Sequence, residues 1–90
     1  MTYDLHGGWE PFTGHNAPLY PRSDEIGYQR NLNIDAAIKY WKQNGADPTK
    51  LILGLASYGR SFTLSNQAQN SLGSPASGSG ISLPVDIFKI

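Results

Sequence analysis

Ninety residues suffice for one small domain with a modest core, and chains this short are only marginally stable without further bracing. With no cysteine, neither a disulfide nor a thiolate metal site is available. Seven basic residues balance seven acidic ones, with neither the charge density of a nucleic-acid binder nor the ~20-residue apolar run of a membrane span.

The chain opens on Met1-Thr2-Tyr3-Asp4, which has neither the basic n-region nor the apolar h-region of a secretory leader. Its organisation favours Met1 as an internal methionine of a longer protein. Met1 to His6 carries aromatic and β-branched residues and runs into Gly7-Gly8, the pattern of a strand tail entering a loop. Residues 7–31 hold three prolines, four glycines and no period. A connection of about 25 residues far exceeds the usual ~4–6 and is expected to be functional or disordered. Its aromatics, Trp9, Phe12, Tyr20 and Tyr28, argue against disorder.

Ile34, Ala37, Ile38 and Trp41 fall at i, i+3, i+4 and i+7, the apolar stripe of a helix expected over 33–44 with Trp41 in the core. Asn33 is placed as N-cap, Asp35 in the first turn, Lys39 and Lys42 toward the end, Gly45 at C′ and Pro48 as a stop. Leu51 to Ala56 is apolar on both faces, as in a parallel strand covered on two sides. Strand, helix, turn and strand make one β-α-β unit. Ser57 to Leu64 is expected to extend as a further strand with Tyr58, Arg60 and Phe62 at alternate positions. Residues 65–82 read as a flexible linker or long loop, and the tail from Leu83 to Ile90 turns apolar again. One such unit cannot cover both faces of its strands, so the chain is expected to be part of a larger α/β sheet.

Four ordered blocks resemble glycoside hydrolase family 18, the chitinases and chitinase-like proteins of animals. Met1 to Glu10 (MTYDLHGGWE) looks like the family's M-x-Y-D strand end and Trp-bearing loop, and Thr13 to Tyr20 (TGHNAPLY) like its continuation. The helix resembles N-x-D-A-A-x-x-Y-W, and Leu51 to Leu64 (LILGLASYGRSFTL) looks like the strand and turn leading to the family's inserted α+β subdomain. The likeness spans about residues 1–80. It implies a fragment of a TIM (β/α)8 barrel: strand 6 at residues 1–6, helix 6, strand 7 at 51–56, and the start of the α+β insertion. On that reading residues 1–64 are partial barrel, and 65–90 begin the inserted subdomain or form an aberrant tail. TIM-barrel sites sit at the C-terminal strand ends, where Tyr3, Asp4 and Trp9 then lie.

The resemblance also implies chemistry. Family members are retaining but substrate-assisted: a glutamate protonates the leaving oxygen while the substrate's acetamido carbonyl attacks the anomeric carbon. At the position of Tyr3 a phenol donates to the acetamido oxygen, for which a hydroxyl on a rigid strand is suited. Its plainer role is packing with a satisfied hydroxyl. Asp4 matches the aspartate that positions the acetamido group, with capping of the Gly7-Gly8 turn as the alternative. Trp9 matches the indole that stacks on a sugar on the leaving-group side, or else anchors its loop. Met1 would line the N-acetyl sugar subsite, or is a start codon or apolar filler. Tyr58 and Arg60 are expected at the rim, in packing and salt bridging. Glu10 lies on a loop without fixed geometry and is not paired with Asp4 as a catalytic dyad. His6 and His15 show no metal-ligand spacing and no acidic partner at a convincing offset, so neither a metal nor a cofactor is expected.

The family's acid lies in a D-x-x-D-x-D-x-E motif, which does not occur in these residues. The tail from Ile81 also departs from the family pattern. The expectation is therefore a parent that hydrolyses β-1,4-linked N-acetylglucosamine polymers, and a 90-residue segment that is inactive alone and does not hold a native fold unaided. The implied partner is chitin or a chito-oligosaccharide, with no nucleic acid, membrane or metal, and the implied location is extracellular. Two other readings remain: a chitin-binding lectin without hydrolase activity, decided by the motif's Glu or its substitute, and a free-standing α/β domain, which requires cooperative melting.

Overall fold

Helix α1 spans Ile34–Gln43 and ends within a residue of each expected boundary. Its first three N–H groups lack intrahelical acceptors and must find others. Pro18 O accepts from Ile34 N at 2.8 Å, Leu19 O accepts from Asp35 N at 3.0 Å, and the Asn33 side chain accepts from Ala36 N at 2.8 Å. The helix start is thereby fastened to the segment around Pro18. Asn33 is fully enclosed, and its amide also donates to Arg30 O at 2.7 Å, so each end of the side chain is satisfied. At the other end Gly45 N–H donates to Lys42 O and Ala46 N–H to Trp41 O, with Gly45 at φ +96. This is a Schellman closure, and the positive φ explains a glycine at C′. Asp47 then caps a short 3-10 turn over Pro48–Lys50 through Thr49 N.

The computed structural model describes residues 1–80. They divide into two compact units, Met1–Leu5 with Ala17–Leu55, and His6–Asn16 with the chain from Ala56 onward. In the first unit a 3-10 turn over Gly27–Asn31 precedes α1. Buried Glu25 organises the approach to it: its carboxylate accepts from Arg22 N at 2.7 Å, and its carbonyl accepts from Arg30 Nη1 at 3.1 Å. On the helix surface Asp35 and Lys39 pair at 2.9 Å with i,i+4 spacing. An exposed pair of this kind contributes about 0.3–0.5 kcal/mol.

The expected strands at 1–6 and 51–56 are not regular strands. Thr2 and Tyr3 lie beside Gly54, with a long 3.4 Å contact from Thr2 Oγ1 to Gly54 O, but no ladder forms. Parallel strands depend on flanking neighbours and covering helices, and no described element supplies them. Ile52 is accordingly 91% exposed and Leu55 81%, the opposite of a strand covered on both faces. Trp41, expected in the core, is 59% exposed for the same reason: only the Ile34 end of the α1 stripe is buried.

The second unit holds the only regular strands among the described residues, β1 (Phe62–Leu64) and β2 (Ala76–Ser79). They pair antiparallel, Phe62 opposite Ser79 and Leu64 opposite Ala76, with a bulge between Thr63 and Leu64. Of the strand expected over 57–64, only its end is regular. Residues 65–80 are not a linker: Thr13 N donates to Ser74 O, Gly73 N to Thr13 O, and Ala76 N to Pro11 O, at 2.8–3.0 Å. Phe12 bridges Pro75 in the same register. Composition alone hides this, because Ser and Gly serve as strand and turn residues once backbone partners exist. The expected divergent tail from Ile81 lies outside the described residues.

Candidate functional site

Each residue named from the sequence has a definite place. In the first unit Met1 is almost wholly exposed, and Tyr3 is half-buried with its ring edge against Gly54. Asp4 is exposed and adopts φ +58, the sole non-glycine residue with positive φ among those described. A left-handed L-residue stores about 1 kcal/mol of backbone energy, less for Asp and Asn, and such residues concentrate at functional sites.

Trp9 belongs to the second unit. It follows Gly7-Gly8, and Glu10 N–H closes a tight turn onto Gly7 O at 3.0 Å. The six-membered ring of the indole lies over Gly7 so closely that a β-carbon there would run into it. The Arg60 guanidinium lies 5.6 Å from the Trp9 ring centroid and also 5.6 Å from that of Tyr58, so one cation bridges two aromatic rings. Asn16 donates to Tyr58 O at 3.2 Å and ties the chain around Tyr58 to the loop at 13–16. The indole nevertheless remains 61% exposed, a large apolar surface on a loop whose own base is buried.

That base is where the sequence reading falls short. His6 is 3% exposed, and its Nδ1–H donates to Glu10 Oε1 at 2.7 Å. The histidine therefore does have an acidic partner, and Glu10 is fixed by it and by its backbone turn. The separation is i,i+4, familiar from helices, but a turn brings the ends together here. Gly14 passes over the imidazole, where a β-carbon would sit 2.6 Å from His6 Cγ. Its place in T-G-H-N was the available signal. The stacking of Arg60 on Trp9 as well as on Tyr58 was not foreseen from the sequence. His15 is exposed.

No group of three or more His, Cys, Asp or Glu among the described residues is placed to hold a metal ion. Two carboxyls are held below the usual carboxylate range, Asp24 by the hydrogen bond from Arg22 and Asp47 by the backbone N–H of Thr49. Both are on the surface, away from Trp9 in sequence, and serve local turns. Taken separately, the second unit offers an exposed aromatic platform with polar neighbours, and the first a left-handed aspartate next to a tyrosine in sequence.

Residues 1–86 match the model of the glycosyl hydrolases family 18. Chitotriosidase-1 of Mus musculus is 50% identical over 80 residues, which is 89% of this chain and 17% of that protein. Among solved structures, human YKL-39, described as a pseudo-chitinase with retained chitooligosaccharide binding properties, superposes with a TM-score of 0.88 at 38% identity, over 93% of this chain and 23% of its own. The immunomodulatory active chitinase of Trichuris suis superposes at 0.84 with 41% identity, over 89% of this chain and 22% of its own. The chain thus spans 17–23% of the length of these relatives. Membership of this family and these structural matches imply a TIM-barrel fold.

Proposed function

This chain belongs to glycosyl hydrolases family 18, and from that premise we propose that it forms part of a catalytic domain acting on β-1,4-linked N-acetylglucosamine polymers. In the parent barrel, residues 1–6 are strand 6, α1 is helix 6 and residues 51–56 are strand 7, with 1–64 as the barrel part and the described residues from 65 on as the start of the inserted subdomain. Trp9 carries the reading: a mostly exposed indole held on a turn, as a pyranose face requires. Tyr3 donates to the acetamido oxygen, Asp4 holds that group in its attacking orientation, and Met1 lines its subsite. Hydrolysis is retaining and substrate-assisted. The proton donor comes from a D-x-x-D-x-D-x-E motif outside these 90 residues, which are inactive alone. The full-length protein works outside the cell, on chitin or chito-oligosaccharides, without metal or cofactor.

A second reading is favoured by one observation, the likeness to YKL-39, which is described as keeping chitooligosaccharide binding without being a true chitinase. The same four residues would then serve a lectin. Full-length protein offered a fluorogenic chitobioside and titrated with chitotetraose separates the cases. Cleavage with binding establishes the chitinase, and binding without cleavage the lectin. Neither would overturn both, and cleavage by the 90-residue chain above a mock preparation would refute its proposed inactivity.

A further inference from the structure

We propose that Glu10 is a positioning residue for Trp9, holding the indole platform through its bond to buried His6; this rests on the sugar-binding role proposed for Trp9. Trp9 lies between two fixed points. On one side is Gly7, whose carbonyl accepts from Glu10 N at 3.0 Å and whose bare α-carbon lies under the indole. On the other is the Glu10 carboxylate, 2.7 Å from His6 Nδ1. His6 cannot easily swing away: it is 3% exposed and Gly14 crosses its ring with no room for a β-carbon. A five-residue loop is thus closed twice, once by backbone and once by side chains, with the exposed indole at its crest. Apart from the Arg60 guanidinium 5.6 Å from its centroid, an indole so exposed has little side-chain packing to fix its rotamer, so its orientation depends largely on the backbone beneath it. A platform already oriented loses less freedom when a ligand lands on it. On this assignment Glu10 does not touch the sugar; it acts through the loop.

The geometry also ranks substitutions at position 10. Gln keeps an oxygen that can accept from His6 Nδ1–H, whereas Ala removes it. The test uses the full-length protein whose reading frame contains residues 1–90, labelled with 5-fluorotryptophan, the Trp9 fluorine resonance being assigned by its loss in Trp9→Phe. Glu10→Ala is expected to shift or broaden the Trp9 resonance while leaving that of Trp41 in place, and to weaken chitotetraose binding roughly 3- to 10-fold by lost preorganisation. Glu10→Gln should stay within about 2-fold of the parent by the same reasoning. In a Trp9→Ala background, Glu10→Ala should cause no further loss, because its effect runs through the indole. An unchanged Trp9 resonance in Glu10→Ala, or an equal loss of binding with and without Trp9, overturns the proposal. If Glu10→Ala does not fold, Glu10→Met removes the acceptor at similar volume and is read in the same way. If the parent protein does not bind chitotetraose at all, the functional reading fails, while the fluorine resonance still decides whether Glu10 positions Trp9.

Discussion

At position 7 the side chain that matters is the one glycine lacks. A β-carbon there meets the Trp9 ring, the far end of a movable side chain, and not the backbone. Gly7→Ala is therefore expected to leave the fold intact and push the indole aside. Chitotetraose affinity should fall several-fold, corresponding to about 1 kcal/mol of aromatic contact, with a melting temperature close to that of the parent. A large drop in melting temperature would instead make Gly7 a folding residue. Asp4 presents the complementary case, in which the strain lies in its own backbone. At φ +58 a residue with an ordinary β-carbon and no polar side chain is disfavoured. Both Asp4→Ala and Asp4→Gly remove the side chain, but only alanine keeps the β-carbon, so Asp4→Ala should be less stable than Asp4→Gly by about 1 kcal/mol in a urea titration. If the two are alike, the left-handed conformation does not persist in solution. Neither feature is written in the sequence: M-T-Y-D reads as a strand end, and the strand end is where the backbone turns over.

Among the elements, α1 was legible almost to the residue because its signals are local. Asn33, Asp35, Lys42, Gly45 and Pro48 each act within one or two turns of the helix, and each has its expected partner or place. Two substitutions probe the closures separately. Asn33→Ala removes the acceptor for Ala36 N and the donor to Arg30 O, and should cost about 1–2 kcal/mol. Gly45→Ala meets open space but is forced to φ +96, so its cost of about 1 kcal/mol is purely conformational. Urea unfolding of the full-length protein measures both. The 3-10 turn after α1 adds a pH dependence. The Thr49 N–H holds the Asp47 carboxyl below its ordinary range, so folding is favoured wherever that group is ionised in both states. The contribution is present above the unfolded pKa and is lost as pH falls through the lower folded one. The pH dependence it causes is confined to the acid limb below about pH 4, where Asp47→Asn should reduce the slope of stability against pH without changing the slope at neutral pH. The pairing of β1 with β2 was not legible, since it joins residues 12 to 17 apart through a Ser- and Gly-rich stretch with no alternation to announce it. The His6–Glu10 bond failed for a related reason: four-residue spacing was weighed for helices and metal sites, not for a turn.

For the whole molecule, the informative residues are those whose side chains point where nothing described covers them. Leu51 to Ala56 was read as a strand buried on both sides, and in these residues Ile52 and Leu55 are among the most exposed apolar groups. Both statements hold if the covering layers come from the rest of a (β/α)8 barrel, because burial belongs to the assembled sheet while hydrophobicity belongs to the segment. Core burial of one such side chain is worth about 1.5–3 kcal/mol, and exposed apolar clusters promote association. Ile52→Lys should therefore have opposite effects in two contexts. In the isolated 90-residue chain it removes an exposed apolar group, raising solubility and lowering binding of a hydrophobic dye. In the full-length protein it forces a charge into a packed layer, and denaturant unfolding should show a loss of several kcal/mol. Opposite signs would establish that this strand is interior to a larger barrel. A neutral or favourable effect in both would mean that the strand faces water in the full protein, and the barrel assignment of residues 51–56 would have to be withdrawn.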